Sequence, residues 1–355
     1  MNTPLLLAGE VRTALLMNSA PLTPPGAESL LGLVEGARVR SAERPVPRAL
    51  SADLVHAVDC PLRTGSGTRM RGVGTLLARA RLTGGRVLQA STRATLVASG
   101  VRPTEWARHL ERLGTVEASG RATAEDLVTG FLGSPNSASP GPALDPGAAC
   151  EQLLARVQGS PALDHRPAFR ARRTRLRWSA AFGGDDRTGG VFTLADATVR
   201  TLQLRLPTGW FTDAAEVAAL CEDLALHDWL LTVVADLAER ACVGPANPAS
   251  LRRLRPAVDH LLHVWMPGMD VPSALLAVWD DLEAGPGFTR QWRSCVDRIR
   301  DHMAMNTLEL LSRPPTAGVP YQRRLVQEHR TSHPSHPDAC LEGTKPSGVS
   351  PAWGL

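Results

Sequence analysis

Lysine is almost absent from this 355-residue chain, in which Lys345 is the only lysine among 39 basic residues. A Walker phosphate-binding loop needs a lysine in its G-x-x-x-x-G-K motif, so the glycine-rich segment from Gly65 to Gly74 does not form one. No G-x-G-x-x-G sequence leads into a helix, and no G-x-S-x-G sequence occurs. These absences exclude the common nucleotide-binding and serine-hydrolase signatures.

Isoleucine and tyrosine are equally rare, with one residue of each (Ile299 and Tyr321). Their codons, like those of lysine, are rich in A and T, so the composition reflects a G- and C-rich genome in which arginine replaces lysine. The net charge is only +4, and the 35 acidic residues are spread along the chain, which disfavours a nucleic-acid partner.

Long apolar runs are also missing, since no stretch approaches the roughly 20 residues that span a membrane. The N-terminus has no basic region of the kind that precedes a secretory signal, so we expect a cytoplasmic protein that does not enter a membrane. The six cysteines form no C-x-x-C pair and have no zinc-site spacing, so a disulfide framework and a cysteine zinc cage are not expected. No cofactor is predicted.

Residues 1–132 are predicted to form an α+β domain. Two segments with imperfect alternation, Val73 to Leu82 and Arg86 to Val97, flank Gly84-Gly85, a pair typical of a two-residue hairpin turn. Thr123, three residues before Asp126, is the expected N-cap of a helix that extends through Phe131. This part should therefore contain antiparallel hairpins and short helices.

Residues 133–148 are rich in Pro, Gly and Ser and are interpreted as a linker. Residues 149–313 are predicted to form a second domain, with an antiparallel hairpin near 173–206 followed by helices. One of these helices should begin at a capping box formed by Asp213 and Glu216 and end at about Ala241, and another should run from Pro256 to Trp265. Residues 314–355 lack an apolar period and are predicted to be a disordered tail. The expected fold class is α+β.

The densest basic feature lies on the first strand of the second hairpin. Arg173, Arg175 and Arg177 alternate with Thr174, Leu176 and Trp178, and Arg205 lies on the expected partner strand. Guanidinium groups spaced about 7 Å apart along one strand face could bind phosphates or an acidic surface. The alternative is a solvated outer face, or pairing with acidic helices of the same molecule.

Histidines on the predicted helices are the best metal candidates. His260 and His263 are three residues apart on one helix, while His227 and Asp223 lie on a neighbouring one. Two histidines at this spacing can bind one ion together. The helical period nevertheless places His260 and His263 opposite the apolar stripe and His227 on an apolar progression, where a core histidine is common. Neither H-E-x-x-H nor Glu-x-x-His is present.

Several motifs resemble a family of actinomycete proteins for which no activity is established. They are GEVRT at 9–13, RGVGT at 71–75, RVLQ at 86–89, RTRLRW at 173–178, LCEDLALHDWLLT at 220–232, RPAVDHLLHVWMPG at 255–268 and PGFTRQWR at 286–293. Genes of this family lie beside those for a variant P-loop protein and a SAM-dependent methyltransferase. The resemblance implies a cytoplasmic protein with partners encoded nearby, the P-loop protein among them, and it supplies no catalytic residue.

The sequence therefore predicts a non-catalytic protein-interaction or scaffold subunit rather than an enzyme. Two alternatives stay open. One is a metal-assisted enzyme whose site includes His227, His260, His263 and Asp223. The other is phosphate-backbone binding through Arg173, Arg175, Arg177 and Arg205.

Overall fold

A computed structural model of the chain describes residues 4–99, 106–133, 143–183, 188–207, 214–241 and 258–312, together with Arg252 and Arg255. The ten strands within these ranges form one mixed sheet. They are β1 (Pro4–Leu15), β2 (Arg40–Ala42), β3 (Arg48–Leu50), β4 (Leu54–Leu62), β5 (Met70–Thr83), β6 (Val87–Ala98), β7 (Thr115–Ser119), β8 (Thr174–Gly183), β9 (Gly189–Leu194) and β10 (Val199–Pro207). With the helices below, the α+β class is confirmed.

The sheet has the strand order β2-β3-β5-β7-β6-β1-β8-β10-β9, and β4 pairs with β5. The first strand, β1, pairs antiparallel with β6 on one side and with β8 on the other. The two predicted domains, 1–132 and 149–313, therefore contribute strands to one sheet, and one compact unit extends over Met1–Asn306. Most of the predicted linker and the whole predicted tail lie outside the described residues.

The predicted hairpin around Gly84-Gly85 is confirmed, but three residues, Gly84 to Arg86, connect its paired strands rather than two. β5 and β6 pair antiparallel from Thr83 and Val87 outward. Gly84 and Gly85 have φ values of 60° and 64°, the left-handed conformation that this tight turn needs and that glycine adopts without strain. A Cβ atom on Gly85 would also collide with the backbone of Leu22. Both the positive φ and this close contact therefore require glycine at position 85.

The second hairpin differs from its prediction. β8 and β10, which contain the segments expected to pair antiparallel, lie next to each other but are parallel, with Trp178 opposite Leu202. The antiparallel partner of β10 is β9. The alternation of side chains correctly indicated which residues of β8 and β10 face the same apolar layer. It carries no information about strand direction.

Helices cover both faces of the sheet. The α-helices whose full extent the structure describes are α1 (Pro24–Leu31), α2 (Trp106–Leu110), α3 (Ala124–Leu132), α4 (Pro146–Gln158), α5 (Ala214–Ala241), α6 (Leu276–Ala284) and α7 (Phe288–Ser312). α5 packs on one face against apolar residues such as Leu7, Val11 and Trp178. α4 packs on the opposite face, where Cys150 and Leu154 are buried. The central strands are therefore covered on both sides.

The predicted N-cap at Thr123 is confirmed. Thr123 is the N-cap of α3, and its hydroxyl oxygen accepts a hydrogen bond from the N–H of Asp126. The helix expected to reach Trp265 is wrong at its end, because Leu262–Val264 forms a 3₁₀ turn and Trp265 is extended. Among the helices that the structure describes, none combines the length and apolar composition that crossing a membrane requires.

Candidate functional site

The arginine face of β8 is turned into the molecule rather than toward solvent. Arg175 and Arg177 both form ion pairs with the buried carboxylate of Glu10, at 2.9 and 3.2 Å. Arg173 pairs with Glu151 of α4 at 3.0 Å. The side chain of Arg177 is only 9% exposed. A solvated outer face is therefore wrong for Arg175 and Arg177, whereas the side chain of Arg173 is 52% exposed. The arginines pair within the molecule, with Glu10 on a strand as well as with Glu151 on a helix.

Glu10 organises this cluster from the centre of β1. The antiparallel register places Glu10 opposite Arg177, and Arg12 adds a third guanidinium at 3.0 Å. The first turn of α4 lies against the carboxylate, and a helix N-terminus favours negative charge. Burial lowers the pKa of Arg177, an effect that the charge of Glu10 opposes. These arginines already have a counter-ion, so they do not form an open phosphate-binding row.

Arg205 lies apart from the cluster. It is on β10, opposite Ala181 of β8, and its side chain is exposed. It forms no ion pair with any residue that the structure describes. The structure therefore separates Arg205 from Arg173, Arg175 and Arg177, although the sequence grouped the four together.

The metal candidates are only partly brought together. Asp223 and His227 are both buried on α5, with 3.4 Å between Asp223 Oδ2 and His227 Nδ1. His227 Nδ1 lies 2.7 Å from the carbonyl oxygen of Asp223, and Nε2 accepts a hydrogen bond from the N–H of Met266 at 3.3 Å. These contacts fit a neutral imidazole that carries its proton on Nδ1. Both ring nitrogens are therefore engaged within the protein.

The other two histidines face different surroundings. His260 stacks on the ring of Phe169, with the ring centroids 6.2 Å apart. The pKa of His260 is lowered, mainly by partial burial and secondly by the nearby charge of Arg86. His263 is exposed. Throughout the ranges described, no three His, Cys, Asp or Glu side chains are grouped so that they could hold a metal ion. His227, His260, His263 and Asp223 thus do not form a ligand set.

The described cysteines do not look like nucleophiles. Cys60, Cys150, Cys221 and Cys295 are free thiols. Burial is the main cause that raises the pKa of each of these four thiols. A reactive cysteine needs the opposite shift, because the thiolate is the nucleophile.

An exposed strand edge is a feature that the sequence interpretation missed. β9 is the last strand of the sheet on the β8 side, and no described strand pairs with its outer edge. Its sequence, GGVFTL, contains no charge, and Val191 and Leu194 are 64% and 62% exposed. Natural edge strands are usually protected by charge, proline or a short length. The sequence signal that could have revealed this edge strand is the uncharged run of β-branched and aromatic residues after Gly189-Gly190.

Comparison of the chain with protein-family models, with curated proteins and with solved structures found no match in any of the three.

Proposed function

We propose that this protein is a non-catalytic interaction subunit, and that another protein binds it by adding an extended segment to β9. The observation that carries the proposal is the uncharged, open edge of β9. Backbone pairing at such an edge supplies affinity, and alternate side chains supply specificity.

The backbone groups available at this edge follow from the register. Ala195 lies opposite Val199, and its N–H donates to the Val199 carbonyl oxygen at 3.0 Å. Hydrogen-bonded and non-bonded pairs alternate along an antiparallel ladder, so Thr193 bonds to β10 whereas Phe192 and Leu194 do not. The N–H and C=O groups of Phe192 and Leu194 therefore point outward. A partner strand would pair with them.

The other open edges of the sheet show the protection that β9 lacks. β2, at the opposite end, has only three residues and carries the exposed Arg40. β4 contains Asp59 and Pro61, a charge and a residue that cannot donate a backbone hydrogen bond. β2 and β4 therefore both carry residues that disfavour strand addition, whereas β9 has no charge and no proline. This difference supports a role for β9 in binding.

The first partner to test is the variant P-loop protein that the sequence resemblance points to. Co-expression followed by affinity purification should recover the two proteins together. The double variant Val191→Lys, Leu194→Lys places two charges on the edge and should reduce recovery at least about tenfold, because a charged edge disfavours pairing.

The matched control is Leu110→Lys, Leu113→Lys, whose wild-type side chains are 58% and 52% exposed at a distant surface. It introduces the same charges and should leave recovery unchanged. Equal recovery of the partner with both double variants would overturn the proposal. It would also be overturned if the wild-type chain recovered neither the P-loop protein nor any stoichiometric partner from the native host. Circular dichroism checks that both variants are folded.

A further inference from the structure

A charged cleft lies at the opposite end of the sheet from β9. It is formed by β2, β3, β5 and the first turns of α5, and its volume is about 520 Å³. Four arginines and three acidic residues supply its charged lining. Sites for small molecules typically have volumes of about 300–1,000 Å³ and contain a few polar groups that converge. The size of the cleft therefore fits a small ligand.

The floor of the cleft is a closed ion pair. Arg79 Nε and Nη2 donate to the two carboxylate oxygens of Glu222 at 2.6 and 2.8 Å, and both side chains are buried. Burial is the largest single effect on Glu222 and opposes its ionisation, but the charge and hydrogen bonds of Arg79, together with the charge of Arg81 and a hydrogen bond from Ser91, hold the pKa of Glu222 below its usual value. This pair is electrically neutral and gives the cleft a fixed floor.

The wall of the cleft carries uncompensated positive charge. Asp270 binds two guanidinium groups at once, Arg81 through one carboxylate oxygen and Arg48, at 3.1 Å, through the other. One carboxylate therefore serves two cations. The side chain of Arg48 is 29% exposed, so part of its charge remains accessible from the cleft.

Two charged residues of opposite sign stand at the rim. Arg40 is exposed and forms no ion pair with any described residue, while Glu216, in the first turn of α5, also lines the cleft. The four arginines and three acids leave a net charge of +1. The N-terminal end of α5 adds a partial positive charge, because helix dipoles are positive there.

We propose that this cleft binds a small organic molecule through an oxyanion, a carboxylate or a phosphate group, held by Arg40 and Arg48. Guanidinium groups bind such oxyanions through paired, charge-assisted hydrogen bonds. Glu216 faces the same space and limits the affinity by repulsion. This inference concerns a different end of the sheet from the proposed protein partner, so either can fail without the other.

Calorimetric titration and thermal unfolding test the site with two probes, inorganic phosphate and succinate, at constant ionic strength adjusted with sodium chloride. At least one probe should bind and raise the unfolding temperature. Which probe binds more tightly distinguishes a phosphate-bearing ligand from a carboxylate-bearing one.

Arg40→Gln and Arg48→Gln should each weaken probe binding at least about tenfold, the loss expected for a charge-assisted hydrogen bond. Glu216→Gln should strengthen it, which a purely structural role for these residues would not produce. Arg205→Gln removes an exposed arginine elsewhere and is the matched control.

Absence of binding by both probes would overturn the proposal, as would binding that Arg40→Gln does not weaken. Arg40 forms no ion pair in the described structure, so its variant remains informative even where loss of Arg48 disturbs Asp270 and the fold.

Discussion

Replacing Glu10 by glutamine removes the one carboxylate that three arginines share while leaving the side chain nearly the same size. Glu10 is fully buried, and the side chains of Arg12, Arg175 and Arg177 are 23%, 20% and 9% exposed. Removing one partner of a buried ion pair typically costs about 3–5 kcal/mol, because the remaining charge stays buried without a counter-ion. We expect Glu10→Gln to lower the free energy of unfolding by this amount.

Glu151→Gln is the control within the same cluster. Glu151 contacts Arg12 and Arg173 at 2.5 and 3.0 Å, but its side chain is 45% exposed. Solvent screens such a pair, so its loss should cost about 0–1 kcal/mol. The comparison therefore separates the effect of burial from that of losing an arginine contact.

Urea denaturation followed by tryptophan fluorescence measures both variants. Because Arg177 is the most buried of the three arginines, a double-mutant cycle with Arg177→Gln should show a coupling energy of about 1 kcal/mol or more with Glu10→Gln. If Glu10→Gln costs no more than Glu151→Gln, the reasoning that a buried carboxylate holds β1, β8 and α4 together is refuted.

Two further predictions concern pH and backbone conformation. Burial raises the pKa of Asp228 to about 6 despite its ion pair with Arg200. As the pH falls, the folded chain therefore takes up a proton before the unfolded chain does, so Asp228 should add about 1 kcal/mol to the free energy of unfolding between about pH 7 and pH 5. Asp228→Asn should remove this increment in urea titrations. A pH dependence that the variant leaves unchanged would contradict the prediction. Gly85→Ala should cost clearly more than Gly36→Ala, since both glycines have positive φ but only Gly85 lies against Leu22; equal melting temperatures would refute this.

Features whose cause is local were predicted correctly from the sequence. The turn at Gly84-Gly85 needs only two residues that tolerate positive φ, and the cap at Thr123 needs one hydroxyl three residues before an N–H group. In both cases the residues that form the structure are neighbours in the chain. Pattern and chemistry together were therefore sufficient.

Features that depend on distant residues were not predicted. Alternation along β8 showed two faces, but not that the arginine face would meet Glu10, which is 167 residues away from Arg177. The available signal was Glu10 itself, an acidic residue inside a largely apolar strand, because a buried charge must find a partner. The parallel direction of β10 against β8 likewise depends on the topology of the sheet. So does the arrangement in which residues of β2 and α5 line the same cleft.

The histidine candidates show the same limit. Helical spacing correctly put His227 among apolar neighbours, and its ring lies edge-on to Trp265 at 4.9 Å. Spacing could not show that backbone groups of Asp223 and Met266 would engage both of its ring nitrogens. The cleft lined by Arg40 and Arg48 was also invisible, because these arginines are ordinary in an arginine-rich sequence.

The central position of β1 has a consequence for synthesis on the ribosome. This strand is translated before the other described strands, yet residues 6–13 pair on one side with residues 174–181. The backbone hydrogen-bonding groups on that side must therefore wait until about half of the 355 residues have emerged. Such delayed, long-range pairing slows folding and exposes the nascent strand to mispairing. Chaperones that shelter extended apolar segments should associate with this chain early in translation and leave it after β8 has emerged.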